Sequence, residues 1–264
     1  MASNFSDIAL RGGIFLVVLT LLILLEAFLG GPNPLPQRNR RWPGNIGLIL
    51  LDTLVARVVL PAGAVGAAFW AQAQGVGVFN HIAWPHWLEF CIALVLLDLA
   101  IYWQHRWLHA VPLLWRLHRV HHTDITLDAT SALRFHPFEM LVSLAFKVLL
   151  AVALGVAPLA IIVFEVLLSS FALVTHANLL VPAPLDRWLR TWLVTPNMHR
   201  IHHSIRGDEQ RRNYGFNLSV WDRLFGSYAA HARDQPQAFG VDGVGAAQAT
   251  RFATLLREPF LRRR

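Results

Sequence analysis

Three short runs of histidine carry the chemistry this chain can do. They are His105-x-x-x-His109, His118-x-x-His121-His122 and His199-x-x-His202-His203. On a helix, residues i and i+4 share a face, and i, i+3 and i+4 span an arc of roughly 100°. The spacing therefore predicts eight imidazoles on three short helical faces. One ion takes fewer ligands than that, so two metal ions are expected. Imidazole suits zinc, copper, iron and nickel, and does not choose between iron and zinc. Cys91 is the only cysteine, which excludes a thiolate cluster and an intrachain disulfide. No helical Glu-x-x-His pair accompanies the runs, which argues against a soluble carboxylate-bridged bundle.

Further candidates surround this set. His176, in Thr-His-Ala-Asn, reads as a ninth ligand. His136, in Arg-Phe-His-Pro, reads as a tenth, or as the closure of a His-Pro turn. His81, His86 and His231 read as ordinary hydrogen-bonding histidines. Asp98 lies seven residues before His105, on the same helical face, where a buried acid orients a ligating ring through its other nitrogen. Asn178 and Asp222 are similar candidates, so Asp98, Asn178 and Asp222 form the candidate catalytic set. Arg106, Arg119 and Arg200 read as outward-facing charges. Trp221–Phe225 reads as core, or as the lining of a substrate entrance.

The elements that must position these residues are membrane helices. Hydrophobic residues make up 55% of the 264 and charged residues only 15%, against about 25% charged in a soluble domain. Mean hydropathy is +0.44. Apolar runs at 13–30, 45–73 and 87–104 read as spans of bilayer length, the second interrupted by Asp52, Arg57 and Pro61. The forty residues 138–177, with Gly155-Val156-Ala157-Pro158 in the middle, read as a helical hairpin. The first run lacks a basic leader and a small-residue cleavage site, so a retained anchor is expected. His136 and His176 are equidistant from residue 156, and so are Lys147 and Glu165. The hairpin should return both histidines to one level and pair the two intramembrane charges. Twenty of the 23 basic residues lie at 38–41, 106–134 and 187–264. One topology places all of them, and the histidine runs, on the cytoplasmic side. The same rule explains the arginines more simply than nucleic-acid binding. The expected architecture is all-α integral membrane: spans plus hairpin, with a cytoplasmic helical cap carrying the histidines. The expected division is an anchor of two spans (1–86), a catalytic region (87–228) and a basic tail (229–264), either amphipathic on the membrane or disordered.

The ordered pattern resembles the membrane fatty acid hydroxylase/sterol desaturase superfamily. The resemblance rests on Asp98-Leu-Ala-Ile-Tyr102-Trp-Gln-His105-Arg-Trp-Leu-His109, Trp115-x-x-His118-x-x-His121-His122 and Arg134-Phe-His136-Pro137-x-Glu139. It continues through His176-x-Asn178, Thr195-Pro196-Asn-Met-His199-Arg-Ile-His202-His203, Asn213-Tyr214-Gly215 and Trp221-Asp222-Arg223-Leu-Phe225-Gly226. It covers about residues 90–228. Three residues separate His105 from His109, which is closer to the sterol-desaturase-like branch than to members with four. The resemblance implies a di-iron centre held by the eight boxed histidines, with His176 as a ninth. It also implies O₂-dependent hydroxylation or desaturation of a sterol-like, isoprenoid or fatty acyl lipid. No flavin, haem or dinucleotide motif is present, and Gly240-x-x-Gly243-x-Gly245 is in the wrong order and follows no strand. Electrons are therefore expected from a separate cytoplasmic protein. The competing readings are a zinc-binding membrane protein without oxygenase activity, and a lipid enzyme that cleaves C–C or C–O bonds on the same site. Histidines confined to one membrane boundary disfavour a transporter.

Overall fold

The computed structural model describes residues 2–35, 37–83, 85–234 and 237–262, with side chains from residue 7 onward. Every named element among them is helical. Five stretches are long and apolar enough to cross a membrane: Asp7–Leu29, Arg38–His81, His86–Ala110, Pro137–Leu154 and Pro158–His176. Their outer faces are open and apolar, with Phe28, Leu29 and Val58 more than 70% exposed. Water does not tolerate such continuous apolar surface, and lipid does.

Helix α1 (Ala2–Leu29) packs on α7 (Pro158–His176). The second expected span is two helices, α2 (Arg38–Val59) and α3 (Gly63–Gln74), broken around Pro61 because its ring cannot continue the α2 ladder. Helix α4 (His86–Ala110) runs on past the expected boundary at 104 and carries His105 and His109 in its last turns. Pro112 then starts α5 (Pro112–His122), where a missing N–H costs nothing.

The hairpin is α6 (Pro137–Leu154) and α7, each opened by proline at its first turn. Gly155 closes α6 at φ 68°, a left-handed conformation that glycine adopts freely. A side chain on Gly77 would meet the Gly155 backbone at 2.2 Å, so the α3–α4 loop rests directly on the hairpin turn. Small residues Ala64, Ala68, Ala93, Ala151 and Ala160 fill the contacts among these helices with Leu97, Ile161 and Phe164. Such residues let membrane helices approach closely. Chain direction alternates so that His105, His136, His176 and Arg41 all come to one end.

Beyond α7 the chain forms α8 (Ala183–Leu189), α9 (Pro196–His202) and α10 (Val220–Leu224). The C-terminal segment is not a loose tail. Helices α11 (Ala246–Thr250) and α12 (Phe252–Arg257) pack against α2, and residues 258–260 pack against α5. Arg116 Nε donates to the Pro259 carbonyl at 2.6 Å, and Arg119 Nη2 to that of Leu261 at 2.7 Å. The terminal Arg263 and Arg264 lie outside the described residues.

Candidate metal centre

The eight boxed histidines and His176 fall into two groups. His105, His109, His118, His122 and His202 form one; His121, His176, His199 and His203 form the other. Within each group the ligand atoms lie within 4.8 Å of one another. Helix geometry explains the division. Residues i and i+4 point about 40° apart, whereas i+3 and i+4 diverge by about 100°. So i and i+4 of each His-x-x-His-His run enter one group and i+3 enters the other. His118 and His122 join the first group while His121 joins the second. In α9 the order reverses: His199 and His203 join the second and His202 the first. The His122 and His203 rings stack at 4.3 Å where the groups adjoin.

Hydrogen bonds behind the rings fix which nitrogen faces inward. Carbonyls only accept, so each histidine nitrogen beside one carries the proton. His105 Nδ1–H donates to the Tyr214 carbonyl at 2.7 Å, His176 Nδ1–H to Ala172 at 2.7 Å and His202 Nδ1–H to Arg212 at 2.8 Å. His118 Nδ1 lies 2.5 Å from Glu139 Oε1. The Nε2 atoms of His105, His176 and His202 therefore present bare lone pairs, and the Nε2 atoms of their neighbours converge on them. Nε2 of His105 and His118 are 3.1 Å apart, those of His176 and His203 3.1 Å, and those of His176 and His199 3.3 Å. Rings that all turn a bare Nε2 inward at that distance repel unless a cation lies between them. Two nitrogens about 2.1 Å from one ion are separated by about 3.0 Å at a right angle and about 3.4 Å at the tetrahedral angle. The Nε2 atoms of His109, His122 and His202 are buried without a protein partner. The donor set thus fits two ions, one in each group.

Burial keeps the rings neutral, the form that binds metal. It pushes His118 down to about 3, and His121, His122, His199, His202 and His203 well below the ordinary imidazole value.

The structure corrects His136 as a ligand, Asp98 as the acid behind His105, and Arg119 and Arg200 as outward charges, while His136 closes the turn before Pro137 and Trp221 and Phe225 pack as core. His136 joins neither group. It caps α6, with Nδ1 accepting from Phe138 N–H at 3.2 Å and Nε2 facing the Leu256 carbonyl at 3.2 Å. Asp98 orients no histidine; it accepts from Asn217 Nδ2, Leu218 N–H and Trp221 Nε1 at 2.9, 3.3 and 2.8 Å. Asn178 exchanges hydrogen bonds with the Asn33 backbone and ties the α1–α2 link to the end of α7. Asp222 accepts from Tyr214 N–H and Gly215 N–H at 2.7 and 2.8 Å. It thereby holds the peptide whose carbonyl positions His105, without facing a metal group. Arg119 and Arg200 are buried rather than outward-facing. Arg119 pairs with Glu258, and Arg200 donates to the Ala177 and Leu179 carbonyls. Trp221 and Phe225 are packing residues, Phe225 stacking on Tyr102 at 5.4 Å.

Sequence reasoning assigned no role to two acids. Glu139 touches His118; that required knowing how α5 meets α6. Glu26, in the last turns of α1, accepts from Ala129 N–H and Asn178 N–H at 2.8 and 2.9 Å and pairs with Arg38. A lone acid in an apolar span was the available signal. The hairpin charges do pair: Lys147 Nζ lies 2.5 Å from Glu165 Oε1. Arg11 of α1 also binds Glu165, making a cluster of three.

An apolar cavity of about 200 Å³ reaches the first metal group, with His105 and His118 in its wall beside Leu108, Leu133, Phe135 and Phe216.

Over 211 residues the chain is 31% identical to ornithine lipid hydroxylase OlsE of Rhizobium tropici, covering 79% of this chain and 58% of that protein. It is 32% identical over 158 residues to an alkylglycerol monooxygenase of Danio rerio, covering 56% of this chain and 31% of that protein. With fatty acid hydroxylase vlmA of a Lecanicillium species identity is 30% over 202 residues, 70% and 53% of the two chains. The chain thus spans little more than half the length of these relatives, or less. No solved structure matches. The fatty acid hydroxylase family model matches residues 90–227, just over half the chain and all nine clustered histidines, and the chain belongs to that family.

Proposed function

We propose that this chain is a membrane-bound di-iron oxygenase that hydroxylates a lipid, using O₂ and electrons from a separate protein. The observation that carries the reading is the convergence of proton-free Nε2 atoms at the end of an apolar cavity. The names of its relatives, lipid hydroxylases and monooxygenases, support it. When bound, two irons supply the O₂ chemistry needed to break an unactivated C–H bond.

The chain's own residues do the rest. His105, His109, His118, His122 and His202 hold one ion; His121, His176, His199 and His203 hold the other. The Tyr214, Arg212 and Ala172 carbonyls and Glu139 fix ring tautomer and orientation. Ile101, Leu108, Leu133 and Phe135 present a hydrocarbon chain to His105 and His118 while keeping water out. The arginines clustered at the histidine end favour a cytoplasmic orientation of that end. They also offer a basic surface to an acidic electron donor.

The test is purified protein in lipid, assayed for metal and for O₂ uptake with a reductant and a lipid extract. About two irons per chain, and a product carrying one oxygen from labelled O₂, are expected. Stoichiometric zinc without turnover in iron-loaded protein would overturn the reading.

A further inference from the structure

Three basic residues lie away from the histidine end: Arg11, Arg57 and Lys147. All three line one cavity, a second space of about 200 Å³. Its wall also contains Asp52 and Glu165, and its rim is the break between α2 and α3, at Leu60, Ala62 and Gly63. This space and the apolar cavity share Ile49, Met140, Lys147 and Glu165. They therefore adjoin along the Lys147–Glu165 pair.

The two parts differ in character. One is hydrocarbon-like and ends on His105 and His118. The other is charged, with Arg11, Arg57 and Lys147 facing Asp52 and Glu165, and Arg11 held by Asp7 as well. Asp52 is fully buried in its wall, and Glu165 is already engaged by Lys147 and Arg11. Arg57 is exposed and has no ion-pair partner among the described residues. Arg57 stands sixteen residues along α2 from Arg41 at the histidine end, about 24 Å. The charged part thus sits in the half of the membrane far from the metal groups, and the helix break gives it an opening there.

We propose that the two spaces form one channel for a single-chain lipid with an acidic end group, a carboxylate or a phosphate. The end group is held at Arg57, Lys147 and Arg11, and the chain runs towards His105 and His118. This rests on the oxygenase reading for the chemistry but not for the binding. It makes the oxidised carbon remote from the end group. Lys147 and Glu139 are eight residues apart on α6, so the separation is about 12 Å or more. Position is then counted from the acidic end. Lengthening the chain adds carbons beyond the metal groups, or lowers activity when they no longer fit, without moving the oxidised position.

Binding is tested first on metal-free protein, where oxygenase activity plays no part. Long-chain fatty acid, alkyl phosphate, fatty alcohol and fatty acid methyl ester of equal length are titrated against the wild type and Arg57→Gln. The acid and the phosphate should bind at least tenfold tighter than the alcohol and ester. R57Q should lose most of that preference while still binding the alcohol. If only the phosphate, or only the acid, shows the preference, that end group is the ligand. Equal binding of all four, or a preference untouched by R57Q, overturns the proposal. With iron-loaded protein, a series of chain lengths should give oxidation at a constant distance from the acidic end. Oxidation beside the end group, or at a constant distance from the methyl end, also overturns it. Absence of turnover from every lipid would count against the oxygenase reading, while the binding comparison still decides the channel.

Discussion

Glu139 Oε1 lies 2.5 Å from His118 Nδ1, on the side of the ring that faces away from the metal group. The carboxylate comes from the first turn of α6 and the ring from α5, and both are buried. Their contact therefore locks the hairpin to the second histidine run. Removing such a partner typically costs 10–100-fold in metal affinity or activity. Glu139→Ala should lose about that much, measured as metal retained against a competing chelator. Glu139→Gln keeps an oxygen acceptor for Nδ1–H and should lose less.

Asn213 has φ 53°, an uncommon conformation for a residue other than glycine. Its side chain is the reason it persists. Nδ2 donates to the Met198 and Ala229 carbonyls at 3.0 Å each, and Oδ1 accepts from Ala229 N–H at 2.8 Å. The consequence falls on its neighbours: the carbonyls of Arg212 and Tyr214 both point at metal-group histidines, His202 and His105. Asn213→Ala loses the three hydrogen bonds and keeps the backbone cost, so stability should fall by about 2–4 kcal/mol. Asn213→Gly relieves only the backbone part. Thermal unfolding and metal content of the two variants together should rank wild type, glycine, alanine.

Asp124 is fully buried between Arg41 and Arg134. Burial alone would raise its pKa, but the Arg134 and Arg41 guanidiniums and Ser131 outweigh it and hold the carboxyl at about 2, against 3.8 ordinarily. The folded form therefore resists protonation where the unfolded chain takes it up. This contribution to stability is complete above about pH 4 and is lost as pH falls towards 2. Asp124→Asn should remove that part of the acid dependence. It should also cost about 3–5 kcal/mol at neutral pH, because Arg134 is left buried without an acid and Arg41 keeps only Asp128. Unfolding midpoints against pH for both proteins check the sign.

The Lys147–Glu165 pair could be foreseen by counting outward from the hairpin turn, because helix rise is uniform. Arg11 could not, because nothing local in α1 says which helix it meets. The third charge changes the expected mutational order. Lys147→Met leaves Glu165 still paired with Arg11, whereas Glu165→Gln leaves two cations together with one acid fewer. E165Q should therefore destabilise more than K147M, and the double variant should fall below E165Q in damage. Equal loss in both single variants would exclude a role for Arg11.

The same distinction runs through the whole molecule. The membrane helices and the histidine faces are written in periodicity and run length, which are local. The partners of Asp98, Asp222 and Asn178 are not. Asp98 meets residues 217–221, and Asn178 meets residue 33, across chain separations that no spacing encodes. The C-terminal segment was unreadable for another reason. Helices α11 and α12 have five and six residues, too short to show an amphipathic period. Their place is set by acceptors offered to buried arginines, as when Arg134 donates to the Ala249 carbonyl.

The crossed membership of the two His-x-x-His-His runs gives the most direct test of the metal centre. His121 and His203 belong to one group although they come from different runs. His121 and His202 belong to different groups, although His202 and His203 are neighbours in sequence. Removing two ligands from one group should empty it and leave the other filled. Removing one from each should weaken both. His121→Ala/His203→Ala is therefore expected to retain about half the wild-type metal, tightly held. His121→Ala/His202→Ala should show a biphasic or uniformly weakened loss under the same chelator. If each run instead serves its own ion, His118→Ala/His122→Ala and His121→Ala/His122→Ala would behave alike. Under the crossed arrangement the first spares the group of His121 and the second damages both. Metal content after chelator challenge, read across these four double variants, decides between the two arrangements without reference to turnover.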